Sequence, residues 1–105
     1  MSRLDQMLVF LEQDPNDSFS RYAVALEYAS QRQFPTAIEQ LNELRRRDPD
    51  YVALYYQLGE MQSKMEEWDL AEQAYTEGIA VARRIGDTHT LSELQMALDE
   101  LETMR

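Results

Sequence analysis

Few side chains in this sequence could do chemistry. The only His, His89, stands near Asp87 and Ser92. Hydroxyl, imidazole and carboxylate are the groups of a nucleophilic hydrolase, but that chemistry needs all three converging in space. One His close to one Ser in a helical stretch does not supply it, and His89 reads as a surface residue at a helix start. Glu66-Glu67 and Asp99-Glu100 are adjacent carboxylates. Neighbours one apart on a helix point in different directions, so neither pair is an acid/base couple. Glu66-Glu67 lies ahead of a helix, where negative charge suits the positive pole. There is no Cys, hence no thiolate, disulfide or Cys-based zinc site, and no other ligand set has metal spacing. No catalytic residue, metal or cofactor is assigned, and the chain is read as not an enzyme.

Arg45-Arg46-Arg47 and Arg83-Arg84 are the basic clusters. Each ends a helical stretch, where positive charge offsets the negative pole of the dipole. Around them stand 20 acidic residues against 10 basic, a net charge of −10. Such a surface repels phosphate backbones and anionic bilayers, so neither nucleic acid nor membrane is expected as a partner. The apolar run from Met7 to Leu11 is bracketed by Asp5 and Glu12 and leads to no small-residue cleavage site. No run is long enough to span a bilayer. A cytoplasmic location is the expectation.

The elements that must position any site are helices. Three Gly and three Pro in 105 residues punctuate few turns. The first helix is expected over about Ser2 to Gln13, with Leu4, Met7, Leu8 and Leu11 on one face, widened by Val9 and Phe10. After the Asp14–Asp17 turn a second runs from about Ser18 to Arg32, apolar on two faces. The third starts near Pro35 and buries Ala37, Ile38, Leu41 and Leu44. The fourth covers about Tyr51 to Met65 and the fifth about Trp68 to Ile85, ended by Gly86. The sixth starts near Thr88, capped by Asp87, with a Thr90–Glu93 capping box as the alternative. Leu91, Leu94, Leu98 and Leu101 form its stripe, and the six Met are read as mostly core.

A shift of 34 residues lays much of the chain on itself. Val24-Ala25 meets Leu58-Gly59, Phe34 meets Trp68, Ala37 meets Ala71, Leu41 meets Tyr75 and Pro15 meets Pro49. Small residues at 25, 37, 59 and 71 let two antiparallel helices approach closely. One such pair cannot bury its face alone, so pairs stack. The period and the pattern Tyr55, Leu58-Gly59, Ala71, Tyr75 resemble the tetratricopeptide repeat family. Arg21, Gln62 and Arg83 depart from it, standing where two aromatics and a Pro belong.

The resemblance implies an all-α fold: a right-handed stack of antiparallel helix pairs, a TPR-like α-solenoid of about six helices. It gives one domain over 1–105, with a leading half repeat (1–16), repeats at 17–50 and 51–86, and a trailing capping helix (87–105). The last helix falls into register only after a two-residue insertion near Gly86, which turns Leu91, Leu94, Gln95 and Leu98 inward. Without the insertion His89, Ser92 and Glu93 would be inward.

In this family the first helix of each pair lines a concave groove for peptides. Register places Phe19, Tyr22, Leu26 and Ser30 there, then Ala53, Tyr56, Glu60 and Lys64. His89, Ser92, Glu93 and Met96 follow. Tyr22 and Leu26 stand where some members carry a Lys/Asn carboxylate clamp, so an apolar or mildly basic segment is the expected ligand. The implied function is a scaffold or adaptor binding a peptide or partner helix. The alternative is a structural unit that forms a homodimer through the first or sixth helix.

Overall fold

The computed structural model describes residues 2–105. Six helices and, among the described residues, no strand are present: α1 Arg3–Gln13, α2 Ser18–Ser30, α3 Phe34–Arg47, α4 Ala53–Lys64, α5 Trp68–Ile85 and α6 Thr88–Met104. They divide into two compact units, one ending at Tyr51 with α1–α3 and one starting at Val52 with α4–α6. The fold class is all-α, as the residue pattern implies.

In the first unit α1 packs on α2 and α2 on α3. Ser2 caps α1: its hydroxyl accepts from the Asp5 N–H at 3.1 Å, while the Asp5 carboxylate accepts from the Ser2 N–H at 3.3 Å. Asp17 caps α2 by accepting from the Ser20 N–H at 3.2 Å and the Ser20 hydroxyl at 2.8 Å. Those bonds, the hydroxyl first, hold the Asp17 carboxyl below its usual range. Pro35 lies in the first turn of α3, where an N–H has no helical partner to lose. Val24, Ala25, Ala37, Leu41 and Leu44 are the buried contact of α2 with α3.

In the second unit α4 packs on α5, and α6 packs on both. Leu54, Tyr55, Leu58, Ala71, Ala74 and Tyr75 are buried. Leu94 and Leu101 anchor α6, each contributing about 1.5–3 kcal/mol by burial. Close approach is built from glycine. A Cβ on Gly78 would stand 2.5 Å from Tyr55 Cβ and 3.0 Å from Leu94 Cδ1.

Both α2 and α4 end in the same way, 34 residues apart. Gln33 N–H bonds Tyr28 O and Arg32 N–H bonds Ala29 O, each at 2.9 Å. Glu67 N–H bonds Gln62 O at 2.8 Å and Glu66 N–H bonds Ser63 O at 2.9 Å. This paired pattern puts the residue past the helix in the left-handed region, at φ 60 for Arg32 and 57 for Glu66. Gly86, at φ 80, closes α5 with no such strain.

Several expectations are corrected. Val9 and Phe10 do not widen the buried stripe of α1; both are exposed, and only Leu11 of that helix is buried. The reason is that α1 has one neighbour, α2, within its unit. Helix α4 begins at Ala53, because Tyr51 is still held in the turn by its N–H bond to Asp48 O at 3.1 Å. Of the methionines described, Met61 alone is buried; Met65, Met96 and Met104 are exposed. Gln95 is exposed and Ala97 takes a buried place instead, since among the described residues α6 packs on α4 and α5 alone. The cap of α6 is Asp87, as the first of the two expected arrangements has it.

Candidate functional site

Each unit carries one set of the register-predicted residues. In the first, Phe19, Tyr22, Leu26 and Ser30 follow the 3.6-residue period along α2. Phe19 is 69% exposed and Ser30 is exposed, while Tyr22 and Leu26 are half-buried. Helix α1 thus covers this face in part. Arg3 and Met7 of α1 join Phe19, Tyr22 and Leu26 in walling a cleft of ≈ 260 Å³. Arg3 Nε stands 3.8 Å from a Glu27 carboxylate oxygen, so α1 and α2 are also tied by charge. The Tyr22 ring leans on Tyr51, centroids 5.3 Å apart at 52°. Burial, then Tyr22 and the carboxylates of Asp17 and Asp48, push the Tyr51 phenol up.

Arg21 stands where the family pattern expects an aromatic, and it is 9% exposed. Its guanidinium donates to Gln40 Oε1 at 2.8 Å and to the Pro15 carbonyl at 3.0 Å. Burial and then Arg47 lower its pKa, against the opposing Glu43. The Arg thus replaces aromatic packing with a polar strut between the α1–α2 turn and α3. Asp48 adds a second tie, accepting from the Ser18 hydroxyl at 2.5 Å.

In the second unit, Ala53, Tyr56 and Glu60 are half-buried and Lys64 is exposed on α4. The Tyr56 and Tyr75 rings lie 6.4 Å apart at 53°. Tyr75, on α5, donates its hydroxyl to Glu60 Oε1 at 3.2 Å. Burial chiefly, and then Glu60, push the Tyr75 phenol well up. Tyr56 is raised by burial, then by Glu60, with Glu93 and Glu100 of α6 contributing. His89 and Met96 are exposed on α6, as are Ser92 and Glu93.

The hydrolase constellation does not form. Both Asp87 oxygens are engaged by Thr90, at 3.0 Å to its N–H and 2.7 Å to its hydroxyl. The Thr90 N–H chiefly holds that carboxyl low. His89 Nε2 lies 3.3 Å from Glu93 Oε1 instead. Arg46 and Arg47 both bond the Glu43 carboxylate, and Arg47 Nη1 also donates to Asn16 Oδ1 at 2.7 Å. Arg47 and then Arg46 hold Glu43 low. No helix among the described residues is long and apolar enough to cross a membrane.

Sequence reasoning missed the Tyr75–Glu60 bond and the part taken by Arg3 and Met7. The Arg21 strut had a signal: a long donor at a core position just after a Pro turn.

No protein-family model matches the chain, and no curated protein sequence does. Solved structures do. A solution structure of a tetratricopeptide repeat domain protein from Salinibacter ruber is 40% identical, covers 88% of this chain and 93% of its own, and superposes with a TM-score of 0.83. A crystal structure of a tetratricopeptide repeat domain protein from that organism is 39% identical over 85% and 100%, with a TM-score of 0.80. The TPR2B domain of yeast Sti1, in a pHsp70 complex, is 18% identical over 97% and 82% with a TM-score of 0.91, a likeness of fold alone.

Proposed function

Because this chain belongs to the tetratricopeptide repeat family, we propose that it is a non-enzymatic interaction module. It takes a peptide or partner helix on the open faces of α2 and α4, in a scaffold or adaptor role. The observation that carries this reading is Phe19. An aromatic ring left 69% exposed at the edge of an apolar cleft is surface that folding has not used. Tyr22 and Leu26 supply half-buried walls beside it, and Tyr56 is the matching aromatic on α4. Aromatic walls with a few placed polar groups suit capture of a side chain in a cleft. The yeast Sti1 domain, described in complex with pHsp70, is one instance of a partner taken on this fold.

The test is calorimetric titration of a purified partner, first captured from native lysate, against wild type, Phe19→Ala and Tyr56→Ala. Both substitutions are expected to weaken binding about tenfold or more, as for central aromatic anchors, with helicity retained. Equal affinities for all three would remove the reading.

A second reading has its own support. Phe10, 63% exposed, and Val9 are open on α1, and that flank could serve a homodimer. The sixth helix offers less, because Leu101 is buried in its own unit. A dimer through α1 would dissociate with Phe10→Asp in sedimentation. A wild type that sediments as a monomer at high concentration sinks the idea.

A further inference from the structure

On α4 of the second unit, Tyr56 and Glu60 lie four apart and share one face. On α6, which packs against α4, Glu93, Met96 and Glu100 share another. The Tyr75 hydroxyl holds the Glu60 carboxylate in place while using one of its several acceptor positions. Ser63, 8% exposed, also lies against the Tyr75 phenol. Met96, 64% exposed, adds an unused apolar surface. We propose that this face receives a Lys or Arg side chain of an extended peptide, its cation between the Tyr56 ring and the Glu60 carboxylate and its aliphatic stem toward Met96. The inference rests on the reading of the α4 face as a peptide-binding surface and adds the chemistry of what binds.

Charge selects the occupant. Burial first, and then Glu60 with smaller parts from Glu93 and Glu100, opposes ionisation of the Tyr56 phenol, so the charge around the ring is negative. The same field favours a cation over the ring, where the ring quadrupole adds attraction. A second copy of this chain, at net charge −10, would bring more carboxylates. A bare metal ion is disfavoured too: no three His, Cys or carboxylate groups among the described residues converge as ligands.

The experiment uses three fluorescein-labelled decapeptides alternating Leu with Lys, with Ser or with Glu. Each is titrated at physiological salt into the ¹⁵N-labelled chain. The Lys peptide is expected to bind and to shift the amides of Tyr56, Glu60, Glu93 and Met96. Glu93→Gln should weaken it roughly fivefold, the effect of losing one well-placed charge pair. Glu39→Gln on α3, the same charge change elsewhere, should not. Tyr56→Leu, which keeps apolar bulk, should weaken it about two- to fivefold. Equal binding of the Ser and Lys peptides on this face would overturn the cation preference and leave peptide binding intact. Equal weakening by Glu39→Gln, or shifts confined to other surfaces, would overturn it as general charge attraction. No shift at this face with any peptide would remove both the inference and the reading beneath it.

Discussion

A Cβ placed on Gly59 would stand 2.3 Å from Tyr75 Cε1 and 2.6 Å from Tyr75 Cζ. The α4 backbone therefore lies directly on the tyrosine ring of α5. That ring cannot swing aside, being 2% exposed and tied by its hydroxyl to Glu60. Gly59→Ala gains about 1 kcal/mol of helix propensity but overpacks a filled core, at a cost of about 1–3 kcal/mol. We expect net destabilisation, read as a lower urea midpoint. An unchanged or raised midpoint would show that the helices can part without loss.

Arg32 and Glu66 make the opposite case. Each holds a left-handed φ that costs an L side chain about 1–2 kcal/mol. Glycine removes that cost and gives back part of it as unfolded-state entropy. Arg32→Gly and Glu66→Gly should each stabilise by about 0.5–1 kcal/mol in denaturant titrations. Arg32 also lies 5.5 Å over the Phe34 ring, so Glu66→Gly should show the larger gain.

Asp17 and Asp87 define an acid window. Both folded pKa values lie below the ordinary one, chiefly through bonds from Ser20 and Thr90. The unfolded state then binds more protons, so this stability is full above about pH 5 and lost as pH falls through the unfolded value and then the lower folded values. Asn can cap a helix without titrating. Asp17→Asn/Asp87→Asn should flatten the fall in midpoint between about pH 5 and pH 2. A slope as steep as that of wild type would mean that these caps do not carry acid sensitivity.

Tyr75 defines the alkaline side. Its folded pKa is raised, so the stability linked to it is complete below the unfolded value of about 10 and lost as pH rises beyond it. Tyr75→Phe should cost about 1 kcal/mol at neutral pH through the lost hydrogen bond and should soften the decline above about pH 10. The check is thermal midpoint against pH for both proteins.

The helix pairs were legible because close approach leaves a mark in residue size. Ala25, Ala37, Gly59 and Ala71 recur at the right period, and all four are buried. Capping by Asp17, Asp87 and Gly86 was legible for the same local reason. What a helix leaves open was not, because exposure depends on how many neighbours pack on it. Phe10 has the apolar character of a core residue and is exposed, and Gln95 was turned inward by a register that presumes a following helix. The proposed faces of α2 and α4 rest on helical period alone, residue by residue. The hold of Tyr75 on Glu60 joins residues 15 apart on different helices, and periodicity along one helix does not reveal such a bond.

The central claim is that the open faces of α2 and α4 hold a protein partner. It is tested most directly by placing a photo-crosslinking phenylalanine analogue at position 19, at position 56 and, as control, at exposed Glu39 on α3. Irradiation in native lysate should join a discrete protein to the chain from positions 19 and 56 and not from 39. Absence of adducts from 19 and 56, or the same adducts from 39, would contradict the account.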